Sequence, residues 1–218
     1  TGYVTTYMHF DIDTATGEIP GTDNVIDCTN TGTGACLTHQ NGTAGSNYTV
    51  DLGELTSTVV NKSNSTSFQH ADGASGKINS IYFDISTNAP SGAVVTVKSL
   101  NGGLQGPGSN KIPSIGVSLG VDGVPRTDGD DIPANSGVYG YNLPIASSQL
   151  NGVILGNPLC STGVKFCGPS SIPKIVFTTN NSPIDTARVR MDIAAAAAYT
   201  NYTGTYTDTL TFFATATF

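Results

Sequence analysis

Residues 206–218 (YTDTLTFFATATF) alternate almost without fault between an apolar series and a threonine series. Side chains of a β-strand point alternately to its two faces. This period therefore predicts a closing strand that buries Leu210, Phe212, Ala214, Ala216 and Phe218 and turns Thr207, Thr209, Thr211, Thr215 and Thr217 to water. A terminal strand this apolar is either paired along both edges or leaves a sticky edge. The same period recurs at the other end of the chain. Residues 1–13 (TGYVTTYMHFDID) set Val4, Thr6, Met8, Phe10 and Ile12 on one face and Tyr3, Thr5, Tyr7, His9, Asp11 and Asp13 on the other.

Between these ends the pattern is short strands separated by Gly, Pro and Asn. Residues 79–86 (NSIYFDIS) and 93–100 (AVVTVKSL), joined by a Pro- and Gly-bearing turn, predict a hairpin. Further strands are expected at 48–52, 58–60, 112–121, 138–143, 174–179 and 187–195. The alanines at 194–198 favour helix by propensity. They extend an alternating run, however, with Val189, Met191 and Ile193 inward and Arg188, Arg190 and Asp192 outward, so strand is predicted there too. Strands spaced at about ten residues between turn formers predict an all-β, antiparallel, Ig-like or jelly-roll-like sandwich with long Gly/Thr/Asn-rich loops and little or no helix. The expected organisation is an N-terminal strand at 1–13 and a single sandwich domain at 14–218.

Charged residues make up only 11% of the chain, so its polarity comes from Thr, Ser, Asn and Gly, as on exported surface proteins. A net charge of −7 with scattered Lys and Arg excludes the basic patch that nucleic acid requires. No apolar run reaches the ~20 residues of a membrane span. Without an initiator Met or a charged leader, the chain is expected to be a mature, secreted, extracellular or cell-surface protein. The cysteines form two close pairs, Cys28 with Cys36 and Cys160 with Cys167. Two local disulfides in an oxidising compartment are the expectation, although sequence alone leaves three connectivities open. Zinc is the rival, but its paired ligands usually stand closer together.

Nothing declares a reaction. His9, His39 and His70 lie in polar stretches, and the chain has neither GxSxG nor HExxH. It also has no Trp to pair with the carboxylates Asp130 and Asp131 as a sugar platform. The chain is therefore expected not to be an enzyme and to need no cofactor. Two acidic stretches offer oxygens to calcium, Asp11 and Asp13 with Glu18, and Asp122 with Asp128, Asp130 and Asp131, against the plainer reading of solvated turns. Sequons stand at Asn41, Asn47, Asn61, Asn64, Asn180 and Asn201, candidate glycosylation sites in a host that modifies them.

The closing GTYTDTLTFFATATF resembles the final strand of secreted β-sandwiches of the spore-coat-U and fimbrial type, where a Gly-x-Tyr-x-Asp turn opens a Thr-rich strand ending in an aromatic. The segment FDISTNAPSGAVVTVKSLNGGL is similar to one in secreted surface proteins of small-genome bacteria. The resemblance implies a structural subunit that polymerises with copies of itself by strand donation, one subunit filling a groove in the next. The donor it implies is residues 2–12, with Val4, Thr6, Met8, Phe10 and Ile12 on the inserted side. That face would bury on the order of 400–500 Å², a gross driving force of ~10 kcal/mol before ordering costs. The cysteine pattern departs from the usual pilin bridge. The alternative is a secreted carbohydrate- or surface-binding adhesin module, with Tyr3, Tyr7, Tyr139, Tyr141 and Tyr199 as stacking platforms.

Overall fold

The computed structural model describes residues 5–14, 49–63, 80–116, 126–144, 153–161 and 165–218, and their regular structure is almost entirely strand. One sheet contains β1 (Met8–Thr14), β2 (Asn61–Lys62) and β3 (Ile81–Thr87). The second begins with β4 (Ala93–Ser99). A small separate hairpin follows, β5 (Gly103–Gln105) with β6 (Lys111–Pro113). The chain then passes to the first sheet at β7 (Val138–Asn142), to the second at β8 (Ile154–Leu155) and β9 (Lys174–Thr178), back to the first at β10 (Ile184–Ala196) and to the second at β11 (Leu210–Ala216). The first sheet runs β1-β3-β10-β2 with β7 also on β10, and the second runs β11-β4-β9-β8. All these ladders are antiparallel. An all-β fold is thus what the alternating sequence produces.

The two sheets face each other across a core centred on Phe83. Its ring lies 5.7 Å from Phe177 of β9 and 4.8 Å from Phe212 of β11, centroid to centroid. Phe83, Ile85, Val95, Val97, Phe177, Val189 and Met191 are fully shielded around it, as the period-two pattern requires of inward positions.

The expected hairpin of residues 79–100 is corrected. β3 pairs with β1 and β10, whereas β4 pairs with β11 and β9, so the connection carries the chain from one sheet to the other. Both strands have an apolar face, and those faces meet across the core instead of lying side by side. The turn itself is held by both sheets. Asn88 bonds to the segment before β1, while Gly92 (φ +70) sits where a Cβ would strike Thr179 and Ser182.

The alanine run is strand, and its composition has a packing reason. Ile193 and Ala195 join the main core, while Ala194 and Ala196 turn to a second cluster with Ile115, Ile132, Val138 and Phe166. With both faces covered, small side chains allow close approach on either side. Asp192, expected outward, is buried as well; it accepts bonds from Ser80 and from Arg190 Nη2 at 3.1 Å. The expected strands at 48–52 and 58–60 are not strands in their described residues. Gly53 adopts φ +66, and the Asn61 amide donates to the carbonyls of Leu52 (2.7 Å) and Glu54 (2.9 Å), replacing a sheet partner for that backbone. The strand expected at 112–121 is cut to β6, with Gly116 (φ +75) closing the described part.

Candidate functional site

The candidate site is the seat of β1 beside β3. The register runs from Met8 opposite Thr87 to Thr14 opposite Ile81. Asn88 sets it from outside the ladder. Its Oδ1 accepts from Tyr7 N–H at 2.8 Å, its Nδ2 donates to Thr5 O at 2.7 Å, and Thr87 Oγ1 donates to Tyr7 O at 2.9 Å. An asparagine side chain thereby continues the pairing past the end of β3. Because Tyr7 directs its N–H and C=O toward β3, alternation directs those of Met8 and Phe10 the other way, toward the edge of the sheet.

Met8, Phe10 and Ile12 turn inward, and Phe10 stacks on Phe83 at 6.1 Å with 12° between the rings. All three are only half-buried. Thr6 is exposed, and Val4 lies outside the described residues. The segment expected as a donor thus lies, in the single chain, against its own β3. It does so with the even-numbered face inward.

Across the core, β11 pairs with β4 and, among the described residues, forms the edge of its sheet. Leu210, Phe212, Ala214 and Ala216 point inward as expected but are half-buried. Phe218 is 61% exposed, a correction, since it lies past the last β11 residue. The inner rows of β1 and β11 are the two half-covered margins of one core, each on a strand paired on one side among the described residues.

The start of β11 is tied down by Asp208. Its carboxylate accepts from Ser99 Oγ (2.6 Å), Asn101 N–H (3.2 Å), Thr209 N–H (2.9 Å) and the Tyr139 hydroxyl. Burial, then the adjacent Asp208 charge, push the Tyr139 phenol far above its ordinary pKa. Burial, then Asp128, do the same to Tyr141. Both rings are buried, which corrects their reading as stacking platforms. Tyr7 and Tyr199 are exposed; so is Tyr202, which the sequence reading passed over, and Tyr3 lies outside the described residues.

The other expected sites fall as follows. Cys160 and Cys167 form a disulfide with Cα atoms 5.7 Å apart; Cys28 and Cys36 lie outside the described residues. The acids proposed for calcium diverge. Asp128 takes Lys174 Nζ and Gly168 N–H, both at 2.9 Å; Asp130 caps its own turn through Thr127 N–H at 2.6 Å; and Asp131 faces Lys165 at 3.4 Å. Among the described residues no three His, Cys, Asp or Glu side chains gather as a metal set; Asp122 and Glu18 lie outside them. Of the sequons, Asn61 is buried with its amide nitrogen donating to two carbonyls, which leaves no nitrogen to glycosylate. Asn180 is exposed at a turn and Asn201 is half-buried, while Asn41, Asn47 and Asn64 lie outside the described residues. His9 is exposed, and His39 and His70 lie outside. No helix among the described residues is long and apolar enough to cross a membrane. No protein-family model, no curated protein and no solved structure matches the chain.

Proposed function

We propose that the protein is a structural subunit of an extracellular filament, pilus or surface layer, polymerising by β-strand donation. Residues 2–12 of one copy take, in the next copy, the seat that β1 takes beside its own β3. The observation that carries this reading is the half-covered row of Met8, Phe10 and Ile12 on a strand at the edge of its sheet. A neighbour's β1 would remake in trans the same seven backbone pairs that β1 makes in cis, so exchange costs little at equilibrium. Any further cover over the two open margins adds to the polymer's stability. A surface of threonine, serine and asparagine with a disulfide suits the exterior of a cell.

Electron microscopy of the purified protein tests the proposal. Filaments are expected from the full chain and dead-end species from a chain lacking residues 1–12. A truncated protein that assembles normally refutes donation.

A further inference from the structure

Residues 198–206 (AYTNYTGTY) connect β10 to the approach of β11 at one end of the sandwich. Tyr199 is 78% exposed and Tyr202 68%. Single exposed aromatics need no explanation. Here, however, the backbone beneath both rings is fixed at nearly every step. Ala198 N–H donates to Asn201 Oδ1 at 2.7 Å, and Asn201 N–H returns to Ala198 O at 3.0 Å. Tyr199 N–H donates to Asn135 Oδ1 at 2.9 Å. Asn110 Oδ1 accepts from Tyr202 N–H and from Asn201 Nδ2, each at 3.3 Å. The Tyr206 hydroxyl lies between the Asn110 side chain and the Tyr202 carbonyl. Two glycines let the loop sit directly on the 106–110 turn: a Cβ on Gly106 would enter the Tyr206 ring, and one on Gly204 (φ +154) would strike Pro107.

From this arrangement we infer that the 198–206 loop is a binding site for a neutral carbohydrate, with Tyr199 and Tyr202 as its stacking surfaces. A pyranose ring offers an apolar C–H face to an aromatic and hydroxyls to its surroundings, and tyrosine meets both kinds of contact at low entropic cost. The surroundings are uncharged. Neither 198–206 nor the supporting segments 106–110 (GPGSN) and 133–137 (PANSG) contains an Asp, Glu, Lys or Arg, while amides and hydroxyls are plentiful. That chemistry suits a neutral polyhydroxylated ligand and gives an anionic one no counter-charge. The pinned backbone removes the loop-ordering cost of binding.

Affinity electrophoresis of the full chain through gels containing dextran, mannan, galactan or β-glucan, with polygalacturonate as the acidic comparison, tests the inference. Retardation is expected in at least one neutral gel. Tyr199→Ala and Tyr202→Ala should each weaken it on the order of tenfold. Tyr199→Phe with Tyr202→Phe should retain it, and Ile172→Ala, exposed elsewhere, should leave it unchanged. The inference is overturned by no retardation in any gel, by retardation in polygalacturonate alone, or by retardation undiminished in the double alanine variant. Self-association in sedimentation velocity that vanishes in that variant would also overturn it, by giving the loop to a second copy.

Discussion

Phe83 meets aromatic rings from three other strands, Phe10, Phe177 and Phe212, and so joins both sheets and both open margins at one side chain. Truncation would leave a cavity that no single strand can close. Phe83→Ala is expected to cost about 3–5 kcal/mol in chemical denaturation; a loss under about 1 kcal/mol would show that the core recloses without it. The buried tyrosines give a second prediction at this scale. A phenol is neutral when protonated, and folding raises the pKa of Tyr139 and Tyr141 above the unfolded value. Their contribution is therefore fully present below about pH 10 and is lost as pH rises further. The loss should run at about 1.4 kcal/mol per pH unit for each tyrosine. Tyr139→Phe should roughly halve that alkaline slope in urea melts. It should also cost about 1 kcal/mol at neutral pH, because Asp208 keeps its other three donors. An unchanged slope would mean that Tyr139 is not the titrating group.

β11 carries two kinds of backbone position. Leu100 N–H donates to Thr209 O, and Thr217 N–H donates to Gly92 O, so the odd residues bond β4 and the even ones direct their N–H to the open edge. Ala214→Pro thus removes an edge N–H, whereas Thr215→Pro removes a ladder bond. Thr215→Pro should lose about 3 kcal/mol and Ala214→Pro well under half of that. Equal losses, measured by thermal melting, would place the ladder in the opposite phase. The period of β11 and of β1 from Met8 onward was legible because each has one apolar face. Partnership was not legible: β3 and β4 follow each other across a turn suited to a hairpin, and only the match of their apolar faces across the core assigns them to different sheets. The burial of Asp192 was not legible because strand period gives the face of a residue but not whether that face is covered; there Ser80 and Arg190 donate to its carboxylate. The Gly-x-Tyr-x-Asp turn is legible as a pattern. Its physical content is Gly204 against Pro107, Tyr206 over Gly106 and Asp208 gathering four donors.

For the whole molecule, the even-numbered face of the first strand was readable from its period, but the sheet that receives that face was not. The pairing is a backbone ladder with β3, and Asn88, a turn residue without periodic context, continues it to Thr5 and Tyr7. Whether the seat is filled in cis or in trans turns on which chain supplies the strand, and a cross-link at one register pair distinguishes the two directly. His9 lies opposite Ser86, on the outer side of the sheet, so cysteines placed there leave the core face intact. Directly opposed antiparallel residues bring Cα atoms to about 4.5–5.5 Å, within the reach of a disulfide. Oxidation of His9→Cys/Ser86→Cys at subunit concentrations that favour assembly should yield a covalent ladder on a non-reducing denaturing gel, collapsing to one band with reductant. Dilution before oxidation should shift the product to a monomer with an internal bridge, because the same seat is then filled by its own chain. A monomer band at every concentration, from protein that still forms filaments, would place polymer contacts elsewhere and leave β1 as the first strand of a self-contained sandwich.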